Sequence, residues 1–175
     1  MPINIERGDI LLVHSRFNLV GWLIRKITKS YWNHVAWAVS HDIVIESISS
    51  GVQLSPVTKY KYEDPKYVRV LRFYPDHITR EQIDMSLAVA TTHIGDKYDF
   101  PKILQLLWLM IIGMRRELDL KDIDSRFICS ELVAEPLYRI AKFQFVDDVP
   151  YENIIPKDID RSRKLFSIVS NVKDQ

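Results

Sequence analysis

From residue 33 to residue 47 the chain reads Asn33-His34-Val35-Ala36-Trp37-Ala38-Val39-Ser40-His41-Asp42-Ile43-Val44-Ile45-Glu46-Ser47. Residues 35–39 and 43–47 are rich in β-branched and aromatic side chains, and only a short polar turn separates the two runs. This pattern predicts a β-hairpin. The hairpin places His34 on one strand and Glu46 on its neighbour, where a carboxylate can fix the tautomer of an imidazole.

The hairpin belongs to a strand-rich amino-terminal half. Further strands are predicted at residues 9–13, 51–54 and 67–73, with an amphipathic helix at 17–27 between the first strand and the hairpin. After a capping box that begins at Thr79, the pattern becomes helical, with stripes over 83–94, 103–112 and about 129–141. Residues 96–101 are predicted as a turn-like link, and the tail from Pro150 as irregular with a short terminal element. Strands followed by helices predict one α+β domain over residues 1–175.

Composition excludes several classes of function. The chain has 175 residues, of which 47% are hydrophobic and 27% charged, as in an ordinary globular protein. Its net charge of +1 gives no electrostatic reason to expect nucleic acid as a partner. One cysteine excludes an internal disulfide and a multi-cysteine zinc site, and the five histidines show no paired ligand spacing. We therefore expect no metal and no cofactor.

The amino-terminal residues lack the basic segment and apolar run of a signal peptide, so we expect a cytoplasmic protein. The longest apolar run, residues 103–112, is about half of the ~20 residues that a membrane span needs. Two interpretations of this run stay open: a core helix, or a helix that contacts a membrane or binds an acyl chain. Nothing in the sequence indicates the oligomeric state.

The single cysteine, Cys129, lies at the start of the last predicted helix, in Phe127-Ile128-Cys129-Ser130-Glu131-Leu132-Val133. A helix amino terminus and a nearby imidazolium each lower the pKa of a thiol. With His34 as the base and Glu46 as the acid that orients it, the residue types suit acyl transfer through a thioester. The alternative is a structural cysteine, because a cysteine in a helix is more often part of a core.

Tyr98, Ser130 and Glu131 are considered as further residues of this region. The hydroxyl of Tyr98 could stabilise an oxyanion or bind substrate, although a hydrogen-bonded core tyrosine is the simpler interpretation. Ser130 is expected to cap the helix that follows Cys129, and Glu131 to lie favourably in its first turn.

The sequence resembles the circularly permuted NlpC/P60, papain-like hydrolases of the YiiX/YaeF type. The resemblance runs from Gly8 to about Tyr138 and rests on five motifs in order: Gly8-Asp9-Ile10-Leu11-Leu12, Asn33-His34-Val35-Ala36, Val44-Ile45-Glu46-Ser47, Gly51-Val52 and Phe127-Ile128-Cys129-Ser130-Glu131-Leu132-Val133. It implies an antiparallel sheet or small barrel packed against helices. It also implies a catalytic cysteine–histidine pair with a third polar residue, here Cys129, His34 and Glu46.

This sequence departs from the resemblance just before the histidine, where a serine is common and Asn33 stands here. The bulky Tyr31 and Trp32 precede it, and we expect them to narrow the cleft or to form a wall that binds substrate.

Three functions follow as hypotheses. The first is a cysteine hydrolase that cleaves an amide bond, with a peptide, including a cell-wall peptide, as substrate. The second is a lipid-directed thiol acyltransferase or esterase, in which residues 103–112 and the apolar face of 17–27 form an acyl groove. The third is a non-catalytic binding module on the same fold.

Overall fold

A six-stranded antiparallel sheet forms the centre of the computed structural model, which describes residues 4–15, 19–60, 64, 66–115 and 126–168. Its strands, in spatial order, are β4 (Gly51–Pro56), β3 (Ile43–Ile48), β2 (His34–Ala38), β1 (Ile10–Val13), β5 (Val68–Phe73) and β8 (Leu165–Ile168). The five predicted strands, including both strands of the hairpin, are therefore confirmed. The α+β class with an antiparallel sheet is confirmed as well.

Four of the helices follow the predicted stripes: α1 (Leu19–Thr28), α2 (Arg80–Thr92), α3 (Phe100–Ile111) and α4 (Glu131–Ala141). The first two positions of the predicted helix at 17–27 lie outside the described residues. The capping box of α2 is confirmed, because Thr79 Oγ1 accepts from the Gln82 amide while Gln82 Oε1 accepts from the Thr79 amide. The tail holds a fifth helix, α5 (Pro156–Arg161), that was not predicted, and β8 is its short terminal element.

Alternation along the strands gives the sheet two apolar faces. One face, with Trp37 and Leu71, packs against Leu87 of α2 and Leu132 of α4 in the largest core cluster. The opposite face carries a smaller cluster around Leu11. A third cluster joins α1 to α3 and contains Ile24, Ile103, Leu106, Leu107 and Ile128.

A short parallel pair connects the middle of the chain to the approach of Cys129. Strand β6 (Lys97–Tyr98) pairs with β7 (Arg126–Phe127), so residues 97–98 of the predicted link form a strand. The start of β4 lies against the turn before β6, because the Val52 amide donates to Asp96 O at 2.8 Å. Gly51 is required there: its φ is +109°, and a Cβ would lie 2.4 Å from Asp96 O.

Candidate active site

His34 and Glu46 lie on the same face of the sheet, since both positions alternate in phase with the paired residues Ala38 and Val44. The two side chains meet: His34 Nε2 donates to Glu46 Oε2 at 2.7 Å. Glu46 is completely buried, whereas the His34 side chain keeps a small exposed fraction. The hairpin therefore brings the predicted base and acid into direct contact.

Cys129 lies in the turn between β7 and α4. The helix begins at Glu131, two residues later than Cys129, so the prediction that Cys129 opens the helix is corrected to a position in the turn before it. Its side chain lies close enough to His34 to raise the pKa of that ring. Because Nε2 of the ring already faces Glu46, Nδ1 is the nitrogen left for the sulfur. The structure thus places Cys129 beside a histidine that is in direct contact with Glu46.

The pKa of His34 is raised by its two partners, Cys129 and Glu46. Burial lowers this pKa, but hydrogen bonds to Cys129 and Glu46, together with their negative charges, outweigh burial and raise it from 6.5 to about 9. At neutral pH the ring is therefore an imidazolium. An imidazolium between a thiol and a buried carboxylate is placed to take part in proton transfer.

The turn of Cys129 is held by backbone and side-chain contacts from three directions. Ser47 Oγ on β3 donates to Phe127 O at 2.7 Å. Ser130 does not cap α4 as predicted; its hydroxyl instead donates to Ile154 O at 2.5 Å. Glu131 accepts from the Ile128 amide and forms a buried ion pair with Lys102 of α3, which joins that helix to the Cys129 turn.

Two residues that sequence reasoning missed complete the surroundings of Glu46. They follow β4: Lys59 closes a 3-10 helix at Val57–Lys59, and Tyr60 comes directly after it. Lys59 Nζ lies 2.6 Å from Glu46 Oε1, while the Tyr60 hydroxyl donates to Glu46 Oε2. No spacing in the sequence links this segment to Glu46, because the contact depends on the turn made after Pro56.

These contacts shift the pKa values of Glu46 and Tyr60. Burial raises the pKa of Glu46, but the hydrogen bond and charge of His34 and the hydrogen bonds of Lys59 and Ser55 hold it far below its usual value. Burial, the charge of Glu46 and its hydrogen bond raise the pKa of Tyr60, so that its hydroxyl stays a neutral donor. Glu46 is thus an ionised carboxylate with donors on both oxygens.

Tyr98 also belongs to this site, whereas Tyr31 and Trp32 lie apart from it. Burial, followed by the negative charges of Cys129 and Asp99, raises the pKa of Tyr98. The Tyr31 ring stacks on His14, and its hydroxyl donates to Lys66 O at 2.8 Å. The indole of Trp32 is buried and donates to Asp160. The predicted wall of Tyr31 and Trp32 therefore receives no support from their positions.

A cavity of about 510 Å³ adjoins the site, a volume in the range of small-molecule pockets. His34, Lys59, Tyr60 and Tyr98 line it, together with Ile24 of α1 and Phe100 of α3. Cys129 is only 4% exposed and lines a separate crevice of about 20 Å³ between α1, α3 and the loop before α5. Ile24 lines both spaces, so this side chain stands between the cavity and the crevice.

Within the ranges that the structure describes, no group of three or more His, Cys, Asp or Glu side chains is placed to hold a metal ion. The absence of a metal and of a cofactor stays a prediction.

Comparisons with known proteins agree with this geometry. Residues 4–144 match the family model of a permuted papain-like amidase enzyme, YaeF/YiiX, C92 family. The sequence has no significant match among curated proteins.

Among solved structures, the chain is similar to that of metalloprotein yiiX from Escherichia coli O157:H7. The TM-score is 0.57 at 18% identity, over 96% of this chain and 98% of that chain, which shows a shared fold. Because the family model covers most of the sequence, the chain belongs to the permuted papain-like amidases of the YaeF/YiiX type, a family of cysteine peptidases and amidases.

Proposed function

We propose that this protein hydrolyses an amide bond, with a peptide as the substrate class, through an acyl-enzyme on Cys129. The observation that carries the proposal is the 2.7 Å contact of His34 with the fully buried carboxylate of Glu46, beside the only cysteine of the chain, which also raises the pKa of His34. A structural cysteine does not require this arrangement, because a core thiol packs as a small apolar side chain.

In the first half of the proposed reaction, the Cys129 thiolate attacks the carbonyl carbon and forms a C–S bond. Negative charge then develops on the carbonyl oxygen, and the neutral hydroxyl of Tyr98 is our candidate donor for it. His34 transfers its proton to the amine nitrogen as the C–N bond breaks. The amine leaves, and a thioester remains on Cys129.

In the second half, water attacks the thioester and gives its proton to His34. The C–S bond breaks, the carboxylic acid leaves, and the imidazolium–thiolate pair is restored. Throughout the cycle Glu46 keeps Nε2 of the ring protonated and directs Nδ1 towards the sulfur. Lys59 and Tyr60 keep Glu46 ionised and fixed in place.

The acyl-groove hypothesis receives no comparable support. Ile103, Leu106 and Leu107 of α3 pack against α1, and the crevice left beside Cys129 has a volume of about 20 Å³, against about 510 Å³ for the cavity that His34 lines. A non-catalytic binding module is disfavoured because all three polar groups of the proposed site are present and in contact.

The test is to trap the thioester. The protein is incubated with an activated ester and with a chromogenic peptide anilide, and the intact mass is measured after acid quenching. Because the chain has one cysteine, we expect a single added acyl group on Cys129 and release of the aniline. Cys129→Ala should lose both signals, whereas Ser49→Ala, in the cavity lining, should keep the adduct. A folded protein that gives no adduct and no aniline would contradict the proposal.

A further inference from the structure

The outer face of α3 differs from an ordinary surface helix. Phe100, Leu104, Trp108, Ile111 and Ile112 recur at helical spacing on one side and are between 44% and 63% exposed. Among all exposed residues of 100–114, Gln105 is the only polar side chain and none is charged. A contiguous apolar surface of this kind indicates an interaction site, because soluble proteins rarely leave such a patch in water.

Inner packing does not explain this face. The opposite side of α3 is already used, since Ile103, Leu106 and Leu107 pack against Ile24 of α1. The charged residue of the helix, Lys102, is buried in its ion pair with Glu131. The prediction of a core helix therefore accounts for the inner side of α3 only. The exposed outer side calls for a separate binding partner.

The helix that packs against α3 carries basic groups. Trp22 and Lys26 of α1 and Lys29, which directly follows it, are exposed, and Lys26 Nζ lies 4.9 Å from the centre of the Trp22 ring. Lys157 Nζ donates to Thr28 O at 2.6 Å, beside the crevice that α3 also lines. Burial, and then the positive charge of Arg161, lower the pKa of Lys157, and the charge of Lys29 acts in the same direction.

We propose that the outer face of α3, with the basic residues of α1 beside it, docks on the surface of an anionic phospholipid bilayer. Apolar side chains and indoles on one side with lysines at the border are the composition of helices that lie in a membrane interface. None of the described helices is long and apolar enough to cross a membrane, so α3 lies along the surface. Its 12 residues extend for about 18 Å at ~1.5 Å per residue.

Charge identifies the bilayer as the occupant, because Lys26 and Lys29 are exposed on the neighbouring segment and no acidic side chain is among the exposed residues of 100–114. An anionic lipid surface attracts the same lysines. The docking also has a consequence for position: Phe100 lies both on this face and in the wall of the 510 Å³ cavity, so the candidate active site borders the membrane.

The first test measures binding of the full chain to vesicles by co-sedimentation. We expect binding to phosphatidylcholine mixed with phosphatidylglycerol, much weaker binding to phosphatidylcholine alone, and a loss of binding as salt is added. Equal binding to both vesicles, or none to either, would overturn the proposal. Cys129→Ala should bind as the parent does, so failure of the proposed catalytic function leaves this test intact.

The second test uses matched variants. Trp108→Gln, and separately Leu104→Gln, should lower the vesicle affinity by about tenfold or more, because each removes one large apolar anchor. Met85→Gln changes an apolar side chain on α2 that is 49% exposed, and it should have no effect. Lys26→Glu with Lys29→Glu should lower affinity at least about tenfold, whereas Arg163→Glu should not. Equal losses in the test and control variants would overturn the proposal.

The third test locates the contact. Brominated phospholipids should quench the emission of the exposed Trp22 and Trp108, while Trp32 and Trp37 are buried and should be protected. In the Trp22→Phe, Trp108→Phe double variant, binding should persist and quenching should disappear. Quenching that persists, or a stable dimer that Trp108→Gln dissociates, would place the contact elsewhere or assign this face to a second copy, and either result overturns the proposal.

Discussion

The two halves of the candidate site differ in what they are made of. The strand-borne half is polar: His34 and Glu46 on the hairpin, with Lys59 and Tyr60 from the segment after β4, form a network around one buried carboxylate. The helix-borne half is apolar, because the crevice of Cys129 is walled by α1 and α3. The difference indicates a division of roles, in which the sheet sets the charge on the histidine and the helices control access to the sulfur.

His34→Ala has the largest expected effect and tests the role of the strand-borne half directly. If the strand-borne half supplies the proton transfers, amide hydrolysis should fall by about 10³-fold or more. The measurement is kcat/KM on the peptide anilide, with thermal unfolding as the check on folding. His41→Ala removes an exposed imidazole from the hairpin turn and should leave the rate unchanged. A His34→Ala variant with parental activity would assign the proton transfers to another group.

Glu46→Gln tests how the sheet sets the charge. Burial lowers the pKa of His34, but Cys129 and Glu46 together raise it to about 9, so the imidazolium is present below that pH and lost above it. We expect kcat/KM of the parent to fall on the alkaline side near pH 9. In Glu46→Gln this alkaline limb should move to lower pH, and the rate at its optimum should fall by about tenfold to a hundredfold.

The matched control is Glu81→Gln, at an exposed position in the first turn of α2, whose pH profile should overlay that of the parent. An unmoved alkaline limb in a folded Glu46→Gln variant would show that this carboxylate does not act through the histidine.

Ile24→Ala sharpens the other side of the comparison. Because Ile24 lines both the cavity and the Cys129 crevice, truncation should join the two spaces. Alkylation of Cys129 by a bulky maleimide should then accelerate by about tenfold. Truncation of a buried isoleucine to alanine leaves a cavity and lowers the free energy of unfolding by ~2–5 kcal/mol.

The control is Ile83→Ala on α2, because Ile24 and Ile83 are both 8% exposed and Ile83 lines neither the cavity nor the Cys129 crevice. It should lose similar stability without faster labelling. Equal acceleration in both variants would mean that general loosening, rather than α1, admits the reagent.

The smallest expected effect is that of Tyr60→Phe. The variant loses one charge-assisted hydrogen bond to Glu46, which should lower the free energy of unfolding by about 1.5–3 kcal/mol and kcat by a few-fold. Urea unfolding measures the first quantity. Tyr31→Phe removes a hydroxyl that donates to a backbone carbonyl at an exposed position and should cost less. A larger loss in Tyr31→Phe would show that the network around Glu46 is not the more strongly held one.

Sequence reasoning selected Cys129, His34 and Glu46 because each lies in a strongly patterned segment. Strand alternation, together with the register of the hairpin, places His34 and Glu46 on one side of it. Lys59 and Tyr60 could not be found this way, since a 3-10 turn after Pro56 carries no period to extrapolate. The pairing of β6 with β7 was missed because it is two residues long and joins distant parts of the chain.

Tyr31 and Trp32 show a limit of reasoning from adjacency in the sequence. Their position next to His34 in the sequence suggested a wall of the cleft, but Trp32 turns into the core and reaches Asp160 of α5, a helix that was not predicted. Adjacency along a chain does not determine which way a side chain points just before a strand begins.

The order of elements along the chain also determines when a reactive pair first exists. His34 and Glu46 lie in the early hairpin, whereas Cys129 follows α3. A protein made from its amino terminus therefore leaves the ribosome with the base and its acid first, and the sulfur arrives only once most of the sheet has been synthesised. A nascent or truncated chain that ends before β7 lacks the proposed nucleophile, so the order of synthesis alone would keep the proposed reaction from starting early.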